Sequence, residues 1–463
     1  MNTGRNWGER VLKWGSGCVL LIGLAVAARA VMPALSFAPA VSVSLGPPGC
    51  QQDVTCSEGP VDSTAGDFNQ DGKLDIATAN NGSDDVTVLF GDGKGGLTSG
   101  LTLMANGGPA GIASGNLNND TFIDIVISEE QANKIGVYLN NGNGTFAPEV
   151  EYDMGNSPEG VVLADFNGDS KLDVATADLF GETVSVRLGN GDGTFGDLKQ
   201  VAVSGGPYEL AVGKLDAGNT LDMAVTLYDI SALGTLLGNG DGTFIYAGTA
   251  SAAITDDSPR GVALADFNND GKLDAAVATE SFDTVDILLG NGDGTFQTAA
   301  PYGVGGFPES VVVGDFNGDN IIDVASADSF GNDQFDGTVS VLVGKGNGTF
   351  NDSQQFGVDS GAYGLTAADL NGDRLPDLVS DNIDGTTVSV LVNTGTPPTP
   401  SCVGDCNGDG MVAINELIIG VNIALGSAPL STCPAFDANG DGMVEINELI
   451  TAVNNALSGC PST

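Results

Sequence analysis

One nine-residue segment returns seven times along this chain, and that recurrence constrains its fold more than any other feature. The clearest copy is Asp165-Phe166-Asn167-Gly168-Asp169-Ser170-Lys171-Leu172-Asp173, and its first position falls at Asp67, Asn116, Asp165, Lys214, Asp266, Asp315 and Asp369. The intervals are 49, 49, 49, 52, 49 and 54 residues. Each copy follows a short apolar run, such as Val161-Val162-Leu163-Ala164, and precedes a second one, such as Val174-Ala175-Thr176. A third run alternates β-forming residues from Thr183 to Leu188, and the turn Gly189-Asn190-Gly191-Asp192-Gly193-Thr194-Phe195 leads into a fourth. Asn-Gly and Asp-Gly steps supply the positive φ angles of tight hairpins. Four short strands in roughly 50 residues make one propeller blade. The fold class expected is therefore all-β, a seven-bladed β-propeller over residues 37–393.

The ends of the array predict how the ring closes. The last copy stops near Val392-Asn393, before any Gly-Thr-Phe strand. The missing strand stands at the front, where Phe37-Ala38-Pro39-Ala40-Val41 matches Phe146-Ala147-Pro148-Glu149-Val150. Supplying it to the seventh blade removes the exposed edges that an open array would leave.

The acidic loops carry the chemistry. Asp67, Asn69, Asp71 and Asp75 occupy relative positions 1, 3, 5 and 9, the spacing with which an EF-hand loop gathers oxygen ligands around Ca²⁺. The same set recurs as Asp165, Asn167, Asp169, Asp173; Asp266, Asn268, Asp270, Asp274; Asp315, Asn317, Asp319, Asp323; and Asp369, Asn371, Asp373, Asp377. Hard oxygen donors suit Ca²⁺ and not a thiophilic metal. The copy at Asn116, Asn118, Asp120 and Asp124 has lost one carboxylate. The copy at 214–222 has Lys214 and Gly218 in place of two ligands, which suggests that the ammonium stands in for a cation beside Asp216 or Asp222.

These loops and the Gly-Asn-Gly-Asp-Gly-Thr-Phe turns resemble the FG-GAP/VCBS repeat family, of which the integrin α-chain propeller is the best-known member. The resemblance implies that the acidic loops join the first two strands of each blade on a lower face. It also implies that ligands meet the opposite, upper face. That face is built from the loop entering each blade and the loop between its second and third strands. Pro60, Pro109, Pro158, Pro207, Pro259 and Pro308 each lie seven residues before an acidic segment. Glu159, Tyr208-Glu209, Arg260, Glu309 and Tyr363 vary just after this position, and Phe180, Tyr228, Phe282 and Phe330 come from the other loop. A fixed scaffold with variable polar and aromatic loops is the pattern of a binding surface.

Beyond a Pro- and Thr-rich linker, 394–401, a second domain covers 402–463. Asp405, Asn407, Asp409 and Glu416, and again Asp437, Asn439, Asp441 and Glu448, stand at positions 1, 3, 5 and 12 of two EF-hand-type loops. Each loop runs into a helix with an apolar stripe: Ile414, Leu417, Ile418, Val421, Ala424 and Leu425, then Ile446, Leu449, Ile450, Val453, Ala456 and Leu457. The duplicated loop–helix unit resembles the dockerin module, which implies a cohesin-like scaffold as partner. It departs from that pattern in its position-12 glutamates and its Val421-Asn422 and Val453-Asn454 pairs. With five propeller loops and two tail loops, about seven Ca²⁺ ions are expected.

Composition narrows the function. The chain has 60 acidic and 15 basic residues, a net charge of −45, which argues against nucleic acid or an anionic membrane as partner. It has no histidine, which removes His-based triads and His zinc sites. Residues 1–30 read as a signal peptide, with Arg5, Arg10 and Lys13 before an apolar core and Ala28-Arg29-Ala30 as cleavage site. The expected location is thus secreted, extracellular or periplasmic, with no membrane span once the signal is removed. In such a compartment Cys50 and Cys56 form the natural local disulfide. Cys402, Cys406, Cys433 and Cys460 allow three pairings. The expectation is a calcium-binding, non-enzymatic binding or adhesion protein whose propeller takes a glycan or protein and whose tail docks to a scaffold or surface. The alternative is an enzyme or targeting subunit of a polysaccharide-degrading system, although no distinct pair of catalytic carboxyls stands out.

Overall fold

The computed structural model describes residues 35–45, 59–249, 254, 258–330, 336–395, 402–406, 411–428, 430–436, 443–444 and 446–459. The signal segment, the Cys50–Cys56 pair, most of the linker, Cys460 and the loop ligands Asn407, Asp409, Asp437, Asn439 and Asp441 lie outside them.

The described residues form seven four-stranded antiparallel sheets. In the first six the spatial order follows the sequence, as in Pro158–Ala164, Asp173–Asp178, Thr183–Gly189 and Phe195–Ala202. The seventh combines Ala362–Ala368, Asp377–Asn382 and Thr387–Leu391 with Val41–Ser44 from the front of the chain. Val41 pairs with Val390 and Ser44 with Thr387, and the Ala38 N–H donates to the Val392 carbonyl at 2.8 Å. The ring closes as the displaced front strand predicts.

First strands of neighbouring blades pack side by side around the axis. Second strands are buried along their whole length in six blades, and in blade 6 from Asp323 to Asp328. Apolar side chains from adjacent sheets interleave, for example Ala175, Val184 and Val186 of blade 3 with Met223, Val225 and Leu236 of blade 4. The Phe that follows the first loop ligand packs on the Gly-Thr-Phe ring of the next blade: Phe68 on Phe146, Phe166 on Phe244, Phe267 on Phe350.

Two local devices set the site. The register of every first strand shifts just after its Pro (Ala362 in blade 7), as between Pro158 and Val161. Such a bulge re-aims the next side chains, here toward the axis. The chain also approaches itself closely where the third strand ends: a Cβ on Gly189 would lie 2.0 Å from the Leu172 carbonyl oxygen, so only glycine fits.

The tail forms helices α1 (Ile414–Ala424) and α2 (Ile446–Ser458). Cys406 is bonded to Cys433, and Cys402 is also disulfide-bonded. The core of this part is Val403, Ile423, Cys433, Phe436, Val444 and Ala452. The two apolar stripes read from the sequence mostly point elsewhere. Ile414, Ile418, Val421 and Leu425, and likewise Ile446, Ile450, Val453 and Leu457, are exposed. Phe436 takes the interior instead, filling the space over Gly420, where a Cβ would lie 2.2 Å from its ring. Among the described residues, no helix is long and apolar enough to cross a membrane.

Candidate functional site

At one end of the ring, the acidic loops connect first to second strands. Their polar atoms are organised by the loop itself. The Asp71 N–H donates to Asn69 Oδ1 (2.8 Å) and Asp67 Oδ1 (3.1 Å), and the Gly72 N–H to Asp67 Oδ2 (2.9 Å). The loops starting at Asp165, Asp266, Asp315 and Asp369 repeat this pattern. The position-5 carboxylate pairs with a lysine two residues on in three blades: Lys73–Asp71 at 3.0 Å, Lys171–Asp169 at 3.2 Å and Lys272–Asp270 at 3.6 Å.

Position 9 behaves differently. Asp75 is fully buried, its Oδ2 accepting the Phe68 N–H (3.0 Å) and its Oδ1 the Gly91 N–H (2.9 Å). Asp173, Asp274, Asp323 and Asp377 make the same two bonds. So do Asp124 and Asp222, whose loops lack the full acidic set. A clamp kept with or without the other ligands has a structural use of its own, tying the loop to the end of the third strand. Lys214 corrects the sequence reading. It is exposed and, among the described residues, forms no ion pair with Asp216 or Asp222. Asp222 is neutralised by the N–H groups of Leu215, Asp216 and Gly238 instead.

The oxygens at positions 1, 3 and 5, half-buried or exposed except for buried Asn317, fit a hard cation by donor type, since a carboxylate offers about four lone-pair sites and the loop N–H groups use only some. Asp67, Asn69 and Asp71 and their counterparts are the side chains that would hold Ca²⁺. In the tail, Glu416 and Glu448 are buried. Glu416 accepts the Cys406 and Ala413 N–H groups at 2.9 and 2.7 Å, folding back beside Asp405.

At the opposite end, the bulged first strands open a depression on the axis. Of the nine residues assigned to the ligand face, Glu159, Tyr208, Glu309 and Tyr363 line it. Arg260 lies behind them. Its guanidinium stacks between the rings of Tyr208 (4.7 Å) and Tyr228 (4.9 Å) and pairs with Glu280 (3.0 Å) and Glu309 (3.3 Å). The Tyr208 and Tyr363 hydroxyls are 2.7 Å apart. Phe180, Phe282 and Phe330 do not line the depression; they stand exposed on the loops between second and third strands.

Glu209, expected on this face beside Tyr208, lines the depression too; three residues escape the sequence, namely Asp62, Asp381 and Phe307. Asp62 also lines the depression, and Asp381 is buried beside it. A Cβ on Gly160 would lie 2.4 Å from Glu209, and one on Gly364 2.5 Å from Asp381, so glycines make room for both acids. Phe307, held at φ 55°, stands exposed and packs edge-on to Phe330 at 5.3 Å. Tyr228 and Phe330 advertise their loops as aromatics, whereas Asp62 is one acid among many until the bulge turns it inward.

Burial raises the axial carboxyls. It pushes Glu209 to about 8, with the Asp62 charge adding to it. Asp62, Glu159 and Glu309 rise to about 7, each mainly from burial. Asp381 rises to about 8 for the same reason; neither of its oxygens is hydrogen-bonded, the neighbouring Ser63 hydroxyl pairing with Thr366 at 3.0 Å. With Arg260 the sole cation against several acids here, the cluster holds protons near neutral pH and can both donate and accept hydrogen bonds.

Comparison with known proteins agrees with this architecture. The FG-GAP-like repeat model matches residues 67–127, 116–176, 266–326 and 315–380. No curated protein matches the chain significantly in sequence. Among solved structures, a virginiamycin B lyase from Staphylococcus aureus is similar at 13% identity and a TM-score of 0.52, covering 77% of this chain and 99% of that one. A protein from Lactobacillus plantarum is similar at 13% identity and a TM-score of 0.53, covering 70% and 98%. At such identities the likeness is one of fold alone.

Proposed function

This chain carries a seven-bladed propeller of FG-GAP-like repeats, and we propose that it is a secreted, calcium-binding, non-enzymatic binding or adhesion protein. The axial depression takes a glycan or protein ligand. The observation that carries this reading is the convergence of Glu159, Tyr208, Glu209, Glu309 and Tyr363 from four blades on one recess. Carboxyls and phenols in that arrangement can pair with sugar hydroxyls, which both donate and accept. The exposed Phe180, Phe282, Phe307 and Phe330 offer faces for stacking around the rim. Calcium orders the acidic loops at the far end and so serves the scaffold, not the ligand.

The tail docks the protein to a scaffold or surface. Its two exposed stripes, Ile414, Ile418, Val421, Leu425 and Ile446, Ile450, Val453, Leu457, support that use, because large side chains in matching rows are unusual on a solvated surface.

The test is a glycan and protein array probed with the full chain, with and without Ca²⁺, followed by affinity measurement on the double variant Tyr208→Phe, Tyr363→Phe. Loss of both hydroxyls should weaken the best binder about tenfold or more. Unchanged affinity would remove the depression as the site.

One observation favours a second reading, that of an enzyme within a polysaccharide-degrading system. Glycoside hydrolysis needs one carboxyl kept protonated and another ionised. Burial keeps the axial acids protonated, which supplies the acid of such a pair. Turnover on a panel of polysaccharides, abolished by Glu209→Gln, would establish it.

A further inference from the structure

The sixth residue of the second strand is buried in every blade and polar in all but blade 4, where it is Leu227, and blade 2 breaks the hydroxyl-bonded pattern seen in blades 3 and 6. In blade 3 the residue is Asp178, opposite Thr183. Its oxygens accept the hydroxyls of Thr176 (2.8 Å), Thr183 (2.7 Å) and Ser185 (2.5 Å). In blade 6, Asp328 accepts those of Ser326 (2.7 Å), Thr338 (3.2 Å) and Ser340 (2.6 Å). The register aligns these three donors with Ile127, Lys134 and Gly136 in blade 2, around Glu129. Every hydroxyl is gone.

Carboxylates have come instead. Glu149 and Glu151, on one face of the outermost strand and the turn into it, reach Glu129, and oxygens of all three lie within 4.8 Å of one another. Gly136 makes this possible, since a Cβ there would lie 2.1 Å from Glu149 Oε1. Glu129 is fully buried. Its Oε1 accepts the Asn106 N–H at 2.8 Å, and its Oε2 has no hydrogen-bond partner.

We propose that Glu129, Glu149 and Glu151 form a Ca²⁺ site between blade 2 and the connection from blade 1. Two oxygens each about 2.4 Å from one ion lie at most about 4.8 Å apart, which suits the spread of these three. The local charge agrees. Three carboxylates less one ammonium, Lys134 on Glu151, leave two negative charges, the complement of a divalent ion. Tyr138 supplies a further reason. Its single proton faces both the Met104 carbonyl (2.9 Å) and Glu149 Oε1 (3.1 Å), so one contact lacks a hydrogen. Asn106 adds its amide to Glu149 at 2.6 Å, bringing the interblade connection into the same cluster. The competing account is a proton shared by Glu129 and Glu149. Burial first, and the Glu129 charge second, raise Glu149 to about 7, which would suit it equally.

A crystal of the full chain soaked in Mn²⁺, a hard anomalous scatterer standing in for Ca²⁺, separates the two. An anomalous peak among Glu129, Glu149 and Glu151 is expected, and Ca²⁺ should displace it. This site and the acidic loops give separate peaks, so the failure of one does not touch the other. In solution, Glu149→Gln should lower Ca²⁺ stoichiometry by about one ion without changing the affinity of the rest. No peak in the soaked wild-type crystal, or unchanged stoichiometry in the variant, overturns the proposal. So does a Glu129→Gln protein that melts higher than wild type at saturating Ca²⁺, because an amide donor would then satisfy the pair better than an ion.

Discussion

The two ends of the propeller carry acid in opposite ways. At the loop end, Asp71 is exposed and Asp67 half-buried, and short-range N–H donors from the loop fix the Asp67 oxygens. At the axial end, Asp62, Glu159, Glu209 and Glu309 are recessed among strand backbones, and burial raises each of them. Carboxyls are thus held by loop N–H groups near solvent at one end and are recessed and proton-holding at the other. What separates them is the environment that the blade geometry imposes and not the local sequence. Any account of this protein's chemistry must treat the ends separately, although both are read from one acidic composition.

The largest expected effect follows from the axial end, where several groups act together. A carboxyl raised in the folded state binds its proton more tightly there than in the unfolded chain. Its contribution is fully present below the unfolded value near 4 and is lost as pH rises through the folded value. For Asp62, Glu159 and Glu309 that loss runs upward from about 4 and is complete near 7, and for Glu209 and Asp381 it is complete near 8. Arg260 moderates the rise of Glu309, with which it pairs, and also that of Glu159. Stability in EDTA should therefore fall steadily from pH 5 to pH 8.5, measured by chemical denaturation. Glu209→Gln should flatten the upper part of that curve. A wild-type curve that rises over this interval would mean that the axial acids are already ionised.

The next effect tests the loop end. Asp222→Ala removes the acceptor for three N–H groups in a loop with no full ligand set, and should cost about 2–4 kcal/mol. Asp75→Ala should cost a similar amount in EDTA. Denaturant midpoints decide the matter. If Asp222→Ala is mild while Asp75→Ala is severe only with calcium present, position 9 acts as a ligand and the clamp is secondary.

How much of this was legible in the sequence follows from the range of the interactions. Strand count and loop position depend on contacts within about 50 residues and on turn chemistry, so repetition displays them, and the repeat fragment displaced to the front displays the long-range closure of Val41 on Val390. The position-9 aspartates were visible, but their partners were not. Phe68 N–H and Gly91 N–H carry no side-chain signature, and the spacing alone reads as a metal loop. The axial cluster was half legible. Proline marks the strand start and variable residues follow it, yet only the bulge decides that Glu159 and Glu209 meet across two blades. In the tail, helical periodicity picked out a genuine apolar stripe. It could not tell which stripe faces inward, because Phe436 and the disulfides lie outside both helices.

The smallest effect is the most discriminating for calcium. Lys73, Lys171 and Lys272 pair with the position-5 carboxylates of blades 1, 3 and 5, whereas Ile321 and Leu375 take that place in blades 6 and 7. An exposed pair contributes little to folding, so Lys73→Ala should leave the melting temperature nearly unmoved. A cation entering the loop, however, meets the ammonium as a like charge. Its removal should tighten Ca²⁺ binding at that loop about three- to fivefold. By the same reasoning the loops of blades 6 and 7 should fill first in a calcium titration of the wild-type chain. Equal filling across all five loops, with no gain from Lys73→Ala, would make Asp71 and its counterparts partners of lysine and not of calcium. The loop end would then differ from the axial end in exposure alone.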